Sequence, residues 1–214
     1  MRNKFDEQLL ELNTVMIDMG EKIVKNISMA IKALATHDKI LAEEIMESDT
    51  EIDQLQKKVE NICFNLLIQQ QPVAKDLRTV TAAMKMVTDM ERIGDHAADI
   101  SEMTILMGDD NGIERFDHIN RMAAETMIML TNSVDAYVRR DKDKALEVIR
   151  HDDVVDELFV EAKRDIIRLI LDSPQEGEAA IDLIMVAKYF ERIGDHATNI
   201  AEWVIYSLKR TEEA

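Results

Sequence analysis

The chain has 214 residues, enough for one ordinary core or two small packed units without a covalent staple. Its 43 acidic against 26 basic residues leave a formal charge of −17, which works against nucleic acid as a partner, because phosphate-backbone binding depends on clustered Lys and Arg. A single cysteine, Cys63, excludes an internal disulfide, and its neighbours Ile62, Leu66 and Leu67 point to a small core residue in a reducing compartment.

Apolar residues at Leu9, Leu12, Met16, Met19, Ile23, Ile27, Ala30 and Leu34 follow the three-and-four spacing of an amphipathic helix. Asp38 is placed to cap a second helix, whose Leu41, Ile45, Ile52, Leu55, Val59, Ile62 and Leu66 keep that spacing until Pro72 ends it. A third helix is expected from Val73 to Met107, and GDDNG at Gly108–Gly112 is the strongest break in the chain. The plan then restarts at Phe116, Ile119, Ala123, Thr126, Leu130, Val134 and Tyr137. Asp141 caps a fifth helix through Val148, Val155, Leu158, Ala162, Ile166 and Ile170. Ser173-Pro174-Gln175-Glu176 reads as a cap, a first-turn proline and a capping-box glutamate for a sixth helix ending near Leu208.

No segment alternates with period two, so no sheet is expected. The fold class is all-α: six long antiparallel helices in two tandem three-helix bundles related by an internal pseudo-twofold repeat, with the first repeat over 1–107, a linker at 108–114 and the second repeat over 115–214. The first residues, MRNKFDEQLLELN, lack the apolar core of a signal peptide, and no run of about 18 apolar residues exists. A cytoplasmic protein is expected, meeting the membrane only through partners. The 14 methionines fall mostly at helical spacing among Leu and Ile, as flexible core filler rather than copper or haem ligands.

The repeat is most exact at one heptapeptide. Glu-Arg-Ile-Gly-Asp-His-Ala occurs at Glu91–Ala97 and again at Glu191–Ala197, in the longer windows ERIGDHAADISE and ERIGDHATNIAE. At 100° per residue, with Glu91 at zero, Asp95 lies near 40°, Glu102 near 20° and Asp99 near 80°, whereas Ile93, Ala97, Ile100 and Thr104 fall near 180–240°. Ile193, Ala197, Ile200 and Val204 repeat the apolar face, so each copy opposes an acidic stripe to a core stripe. In a single copy that is the ordinary pattern of a solvated helix face.

Each half also carries a second acidic pair on its preceding helix, Asp49 and Asp53 in one and Asp152 and Asp156 in the other, at the shoulder of the apolar stripe. Four carboxylates drawn within about 5 Å repel by roughly 3 kcal/mol per pair at an effective dielectric of 20, and a cation removes that penalty. Oxygen-only ligands suit hard or borderline metals, while the absence of paired Cys or close-set His argues against a Cys/His zinc site. Ion pairing through Arg92 and Arg192 is the competing account of the stripe. Gly94 and Gly194 interrupt these helices at about 1 kcal/mol each, for close packing or for backbone access beside the carboxylates. His96 and His196 point about 140° from the first glutamate. A surface role is expected first, and hydrogen bonding to Asp99 or Asn199 second.

The two ERIGDHA segments, the acidic pairs Asp49/Asp53 and Asp152/Asp156, and Gln71-Pro72-Val73-Ala74-Lys75-Asp76-Leu77-Arg78 together resemble the PhoU family, the phosphate-transport accessory regulators of bacteria and archaea, over nearly the whole chain. The resemblance implies a cytoplasmic, often dimeric helical protein, peripheral to the inner face of the membrane. It implies multinuclear metal, iron or zinc before manganese or magnesium, held by Asp49, Asp53, Glu91 and Asp95 in one half and by Asp152, Asp156, Glu191 and Asp195 in the other. No catalysis comes with it. The implied role is negative regulation of phosphate uptake and of the phosphate-starvation response, with the ATPase subunit of a phosphate ABC transporter and a sensor histidine kinase as partners.

Two positions depart from the family pattern. Asp99 stands where the family has the Asn seen at Asn199, and the second half has SPQEGEAAIDL in place of the QPVAKDLR segment. Arg78 is therefore either a partner-facing residue of the first half or one member of a local salt bridge. Two other readings compete: a carboxylate-bridged di-iron enzyme, and a purely structural helical module. Di-iron bundles use Glu-x-x-His, and none of the five histidines has Glu three residues before it.

Overall fold

The computed structural model describes residues 2–70, 74–107 and 117–209. Among them lie six α-helices: α1 (Arg2–Thr36), α2 (Lys39–Gln70), α3 (Ala74–Leu106), α4 (Asp117–Arg139), α5 (Lys142–Asp172) and α6 (Gly177–Leu208). No strand occurs among the described residues, and the all-α expectation holds. Pro72, the GDDNG break and Phe116 lie outside the described residues.

The same turn is built twice. His37 and Arg140 adopt left-handed backbone angles, φ 55° and 58°, and the amides that follow close back onto the ending helix, Asp38 N–H to Ala33 O at 2.9 Å and Asp141 N–H to Ala136 O at 2.8 Å. A non-glycine residue in that region costs about 1 kcal/mol or more. Each aspartate then caps the next helix, accepting from the Leu41 and Lys144 amides at 3.0 Å. Such a cap stabilises its helix by about 1 kcal/mol.

The start of the sixth helix differs from the capping-box expectation. Residues Pro174–Glu176 form a 3-10 turn before α6, and the Ser173 side chain caps nothing. Ser173 donates its amide to Leu169 O, which closes α5, while its carbonyl accepts from the Glu176 amide at 2.9 Å and opens the 3-10 turn.

Within each half the three helices pack on one another, and the halves meet through α3 against α6 and α1 against α4. Each helix at this junction touches its own repeat equivalent, as a local twofold requires. The expected core stripes are largely buried, Ile93, Ala97 and Ile100 with Ile193, Ala197 and Ile200 among them, although Ile170 near the end of α5 is exposed, and one continuous core runs through both halves. Met16, Met19, Met86, Met90, Met122 and Met129 fill it. At about 1.5–3 kcal/mol for each large apolar side chain fully buried, a shared core favours the halves folding against each other. Cys63 lies inside it, its thiol pushed up to about 12 by burial.

Candidate functional site

The apolar stripes decide where the carboxylates go. Burying Ile52 of α2 against Gly94 of α3 turns Asp49 toward the acidic stripe of the motif, and burying Val155 of α5 against Gly194 of α6 does the same for Asp152. A Cβ at Gly94 would stand 3.0 Å from Ile52 Cδ1 and 3.2 Å from Asp49 Oδ1. At Gly194 the corresponding distances are 3.4 Å to Val155 Cγ1 and 3.1 Å to Asp152 Oδ1. The close-packing reading of these glycines holds: the bare Cα lets the helices close, and it also leaves room for a carboxylate of the facing helix.

In the first half the four expected residues act on one another. Asp49 is raised to about 6, by burial first and then by the charges of Asp95, Asp53, Glu91 and Asp99. Glu91 is raised by burial, then by Asp95 and Asp53, with Arg92 working the other way. Asp95 is raised by burial, Asp53 and Asp99, while a hydrogen bond from Asp49 lowers it. Asp49 Oδ1 is buried with no hydrogen-bond partner. A buried carboxylate oxygen without a partner costs about 1–3 kcal/mol or more.

The second half repeats this with different neighbours. Asp152 is raised to about 6 by burial, then by Asp156 and Asp195; Thr198, whose hydroxyl oxygen is otherwise buried without a partner, partly offsets the rise. Burial and Glu191 raise Asp195. Lys188 forms an ion pair with Glu191, where the first half has Thr88. The first-half cluster therefore has an extra carboxylate in Asp99, and the second has a lysine. Among the described residues no three acidic, His or Cys side chains are gathered tightly enough to enclose a cation as they stand. The residues nonetheless fit a cation: oxygen donors, two elevated carboxyls and an orphaned buried oxygen are all features that a bound cation would relieve.

The arginine account of the stripe does not hold. Arg92 comes no nearer than 3.9 Å to a carboxylate oxygen, that of Asp89, and Arg192 makes no ion pair among the described residues. Both instead line a groove between α3 and α6 with Asp95, His96, Asp195, His196, Thr198 and Asn199. The two motifs thus face one another across the junction.

The histidines are not surface residues. His96 Nδ1 bonds Asp99 Oδ2 at 3.0 Å, as the second of the sequence readings held. His196 bonds Asp89 Oδ1 of the other half at 2.9 Å, and Asn199 Nδ2 donates to that same oxygen at 3.3 Å, so the expected His196–Asn199 contact is replaced. Asp89 escaped the sequence reading because it precedes the heptapeptide and breaks the repeat, its counterpart being Tyr189. Among the described residues Arg78 pairs with no carboxylate; its Nη1 donates to Lys209 O at 2.7 Å, just past the C-terminal end of α6.

Comparison with known proteins gives a consistent picture. The PhoU domain family matches residues 16–104 and 119–204. The chain is 36% identical over 208 residues to the phosphate-specific transport system accessory protein PhoU homolog of Clostridium acetobutylicum, covering 97% of this chain and 95% of that one. It is 31% identical to the homolog of the same name from Pseudomonas aeruginosa, over 98% of this chain and 87% of that one. The crystal structure of PhoU from Pseudomonas aeruginosa superposes with a TM-score of 0.87 at 31% identity, covering 95% of this chain and 98% of that one. The PhoU structure from Streptococcus pneumoniae gives 0.87 at 28% identity, over 95% and 96% of the two chains.

Proposed function

The chain belongs to the PhoU family, and from that premise we propose that it is a metal-binding adaptor that restrains phosphate uptake and the phosphate-starvation response when phosphate is plentiful. The proposed partners are the ATPase subunit of a phosphate transporter and a sensor histidine kinase, with a homodimer as the working form. The regulatory reading is supported by the names of relatives that match along almost the whole chain, each a phosphate-specific transport system accessory protein. No helix among the described residues is long and apolar enough to cross a membrane.

The observation that carries the metal reading is the doubled carboxylate cluster with Asp49 and Asp152 each raised to about 6. Asp49, Asp53, Glu91 and Asp95 would hold metal in the first half, and Asp152, Asp156, Glu191 and Asp195 in the second. Bound there, a cation would supply charge compensation between two helices of one half, and the helices would supply the spacing and the shelter from water. The order iron or zinc before manganese or magnesium follows the family resemblance, since oxygen donors alone accept any of them.

Deletion in the native host is the test of regulation. Phosphate-starvation genes should stay expressed in ample phosphate, and pulldown of tagged protein should recover the transporter ATPase and the kinase. A deletion strain that represses those genes normally, with no paralogue present, would overturn the regulatory reading. Elemental analysis of the purified protein decides the metal reading separately.

A further inference from the structure

The motif histidines are held crosswise. Position 89 of α3 and position 189 of α6 are equivalent in the repeat, and each reaches the histidine of the other half: Asp89 bonds His196, and the Tyr189 ring lies 5.5 Å from the His96 ring. The two imidazoles stack on each other at 5.7 Å between centroids. The crossing is not symmetric in kind. His96 already has a carboxylate from its own helix in Asp99, whereas His196 and Asn199 have the Asp89 carboxylate of the other half.

Asp89 is only 6% exposed, with the Arg92 guanidinium at 3.9 Å and the two α6 donors on its Oδ1. Those donors adjoin the second site in sequence: His196 follows Asp195, and Asn199 follows Thr198, whose hydroxyl sits beside Asp152. Asp89 also stands two residues before Glu91, but on a helix that turns it roughly 160° away from that side chain. It faces the second half rather than its own site.

We propose that Asp89 is a positioning residue for the carboxylate site of the second half: by anchoring His196 and Asn199 it fixes the rotation of α6 that presents Glu191 and Asp195 to Asp152 and Asp156. This rests on the metal reading of the site. The second site is then complete only when the first half is packed against it, and cation affinity there depends on α3. The first site has no reciprocal carboxylate from α6, because Tyr189 stands at that position. Outer groups that orient metal ligands change affinity by about 10–100-fold when removed.

Mn2+ titration of the full-length protein, followed by electron paramagnetic resonance, tests this with one site disabled at a time. In a Glu91→Gln/Asp95→Asn background only the second site binds, and in a Glu191→Gln/Asp195→Asn background only the first. Asp89→Asn removes charge but keeps an oxygen that can accept from His196 and Asn199; Asp89→Ala removes the anchor as well. The expected result is about tenfold weaker Mn2+ binding by the alanine than by the asparagine variant at the second site, and less than about twofold difference at the first. A parent protein that takes up no Mn2+ at either site would refute the metal reading and this proposal with it. Normal uptake by the parent, with an alanine-to-asparagine difference that is equal at both sites or absent from both, would overturn the proposal alone. The asparagine variant keeps the shape of the buried side chain, so the comparison survives even if the alanine variant is less stable, provided melts in chelator confirm that each variant is folded at the titration temperature.

Discussion

Gly94 sits so close to Asp49 that a Cβ added to it would stand 3.2 Å from the carboxylate Oδ1, with Ile52 Cδ1 at 3.0 Å on the other side. The glycine is thus confined between a core side chain and a site side chain. Alanine in a helix interior is favoured over glycine by about 1 kcal/mol, but here the added methyl meets a fully buried isoleucine that has little room to move. Gly94→Ala should therefore melt no higher than the parent and should bind metal more weakly in its half. Gly194→Ala meets Val155 at a looser 3.4 Å, so its melting temperature should hold or rise while its metal binding falls. Equal gains in melting temperature and unchanged metal content in both variants would refute this account of the glycines.

Charge removal separates a metal site from a wet helix face. Glu91→Gln/Asp95→Asn relieves repulsion around carboxyls whose protonation is already favoured, so in chelator this variant should be a few tenths of a kcal/mol more stable than the parent. Glu191→Gln/Asp195→Asn also breaks the Lys188 pair, which offsets the gain and leaves stability near the parent value. With free metal at a hundred times Kd, the parent gains about 2.7 kcal/mol per occupied site, and each variant forgoes that gain in one half. Thermal melts with and without metal read the reversal; identical metal-induced shifts in parent and both variants would assign the stripe to solvent.

The pH dependence of the metal-free protein follows from Asp49 and Asp152, each raised from 3.8 to about 6. Between those values the folded state binds more protons than the unfolded chain, so stability falls as pH rises through that window. Melting temperature in chelator should decline from about pH 4 to about pH 6.5 on this account. Asp49→Asn/Asp152→Asn should flatten that decline, and adding metal at pH 7 should restore what ionisation removed. A parent that gains stability steadily over the same range would contradict it.

Arg78 donates to the Lys209 carbonyl just past the end of α6, so Arg78→Ala should lower global stability by about 1 kcal/mol or less. Hydrogen exchange should nevertheless quicken at the C-terminal turn of α6 while the ERIGDHA segments stay protected. Unchanged exchange at that turn would show that the bond does not order it.

The local spacing of residues was sufficient for most of the fold. Stripes such as Met16, Met19, Ile23 and Ile27 declare helices because burial follows a period of 3.6, and Asp38 and Asp141 declare starts because a cap acts within three residues. The pairing of Asp49 with Asp95 and of Asp152 with Asp195 was also legible, since repeated stripes on consecutive helices of one bundle must meet on their shared shoulder. Ser173 misled because the signature was read as opening α6 directly, whereas its carbonyl opens a 3-10 turn that comes before α6 and its side chain caps neither. Arg78 and His196 were beyond reach for another reason: their partners Lys209 and Asp89 lie 131 and 107 residues away in sequence. Those contacts depend on how α3 and α6 cross, and the periodicity of each helix records which face is buried without recording the angle or register at which it meets another.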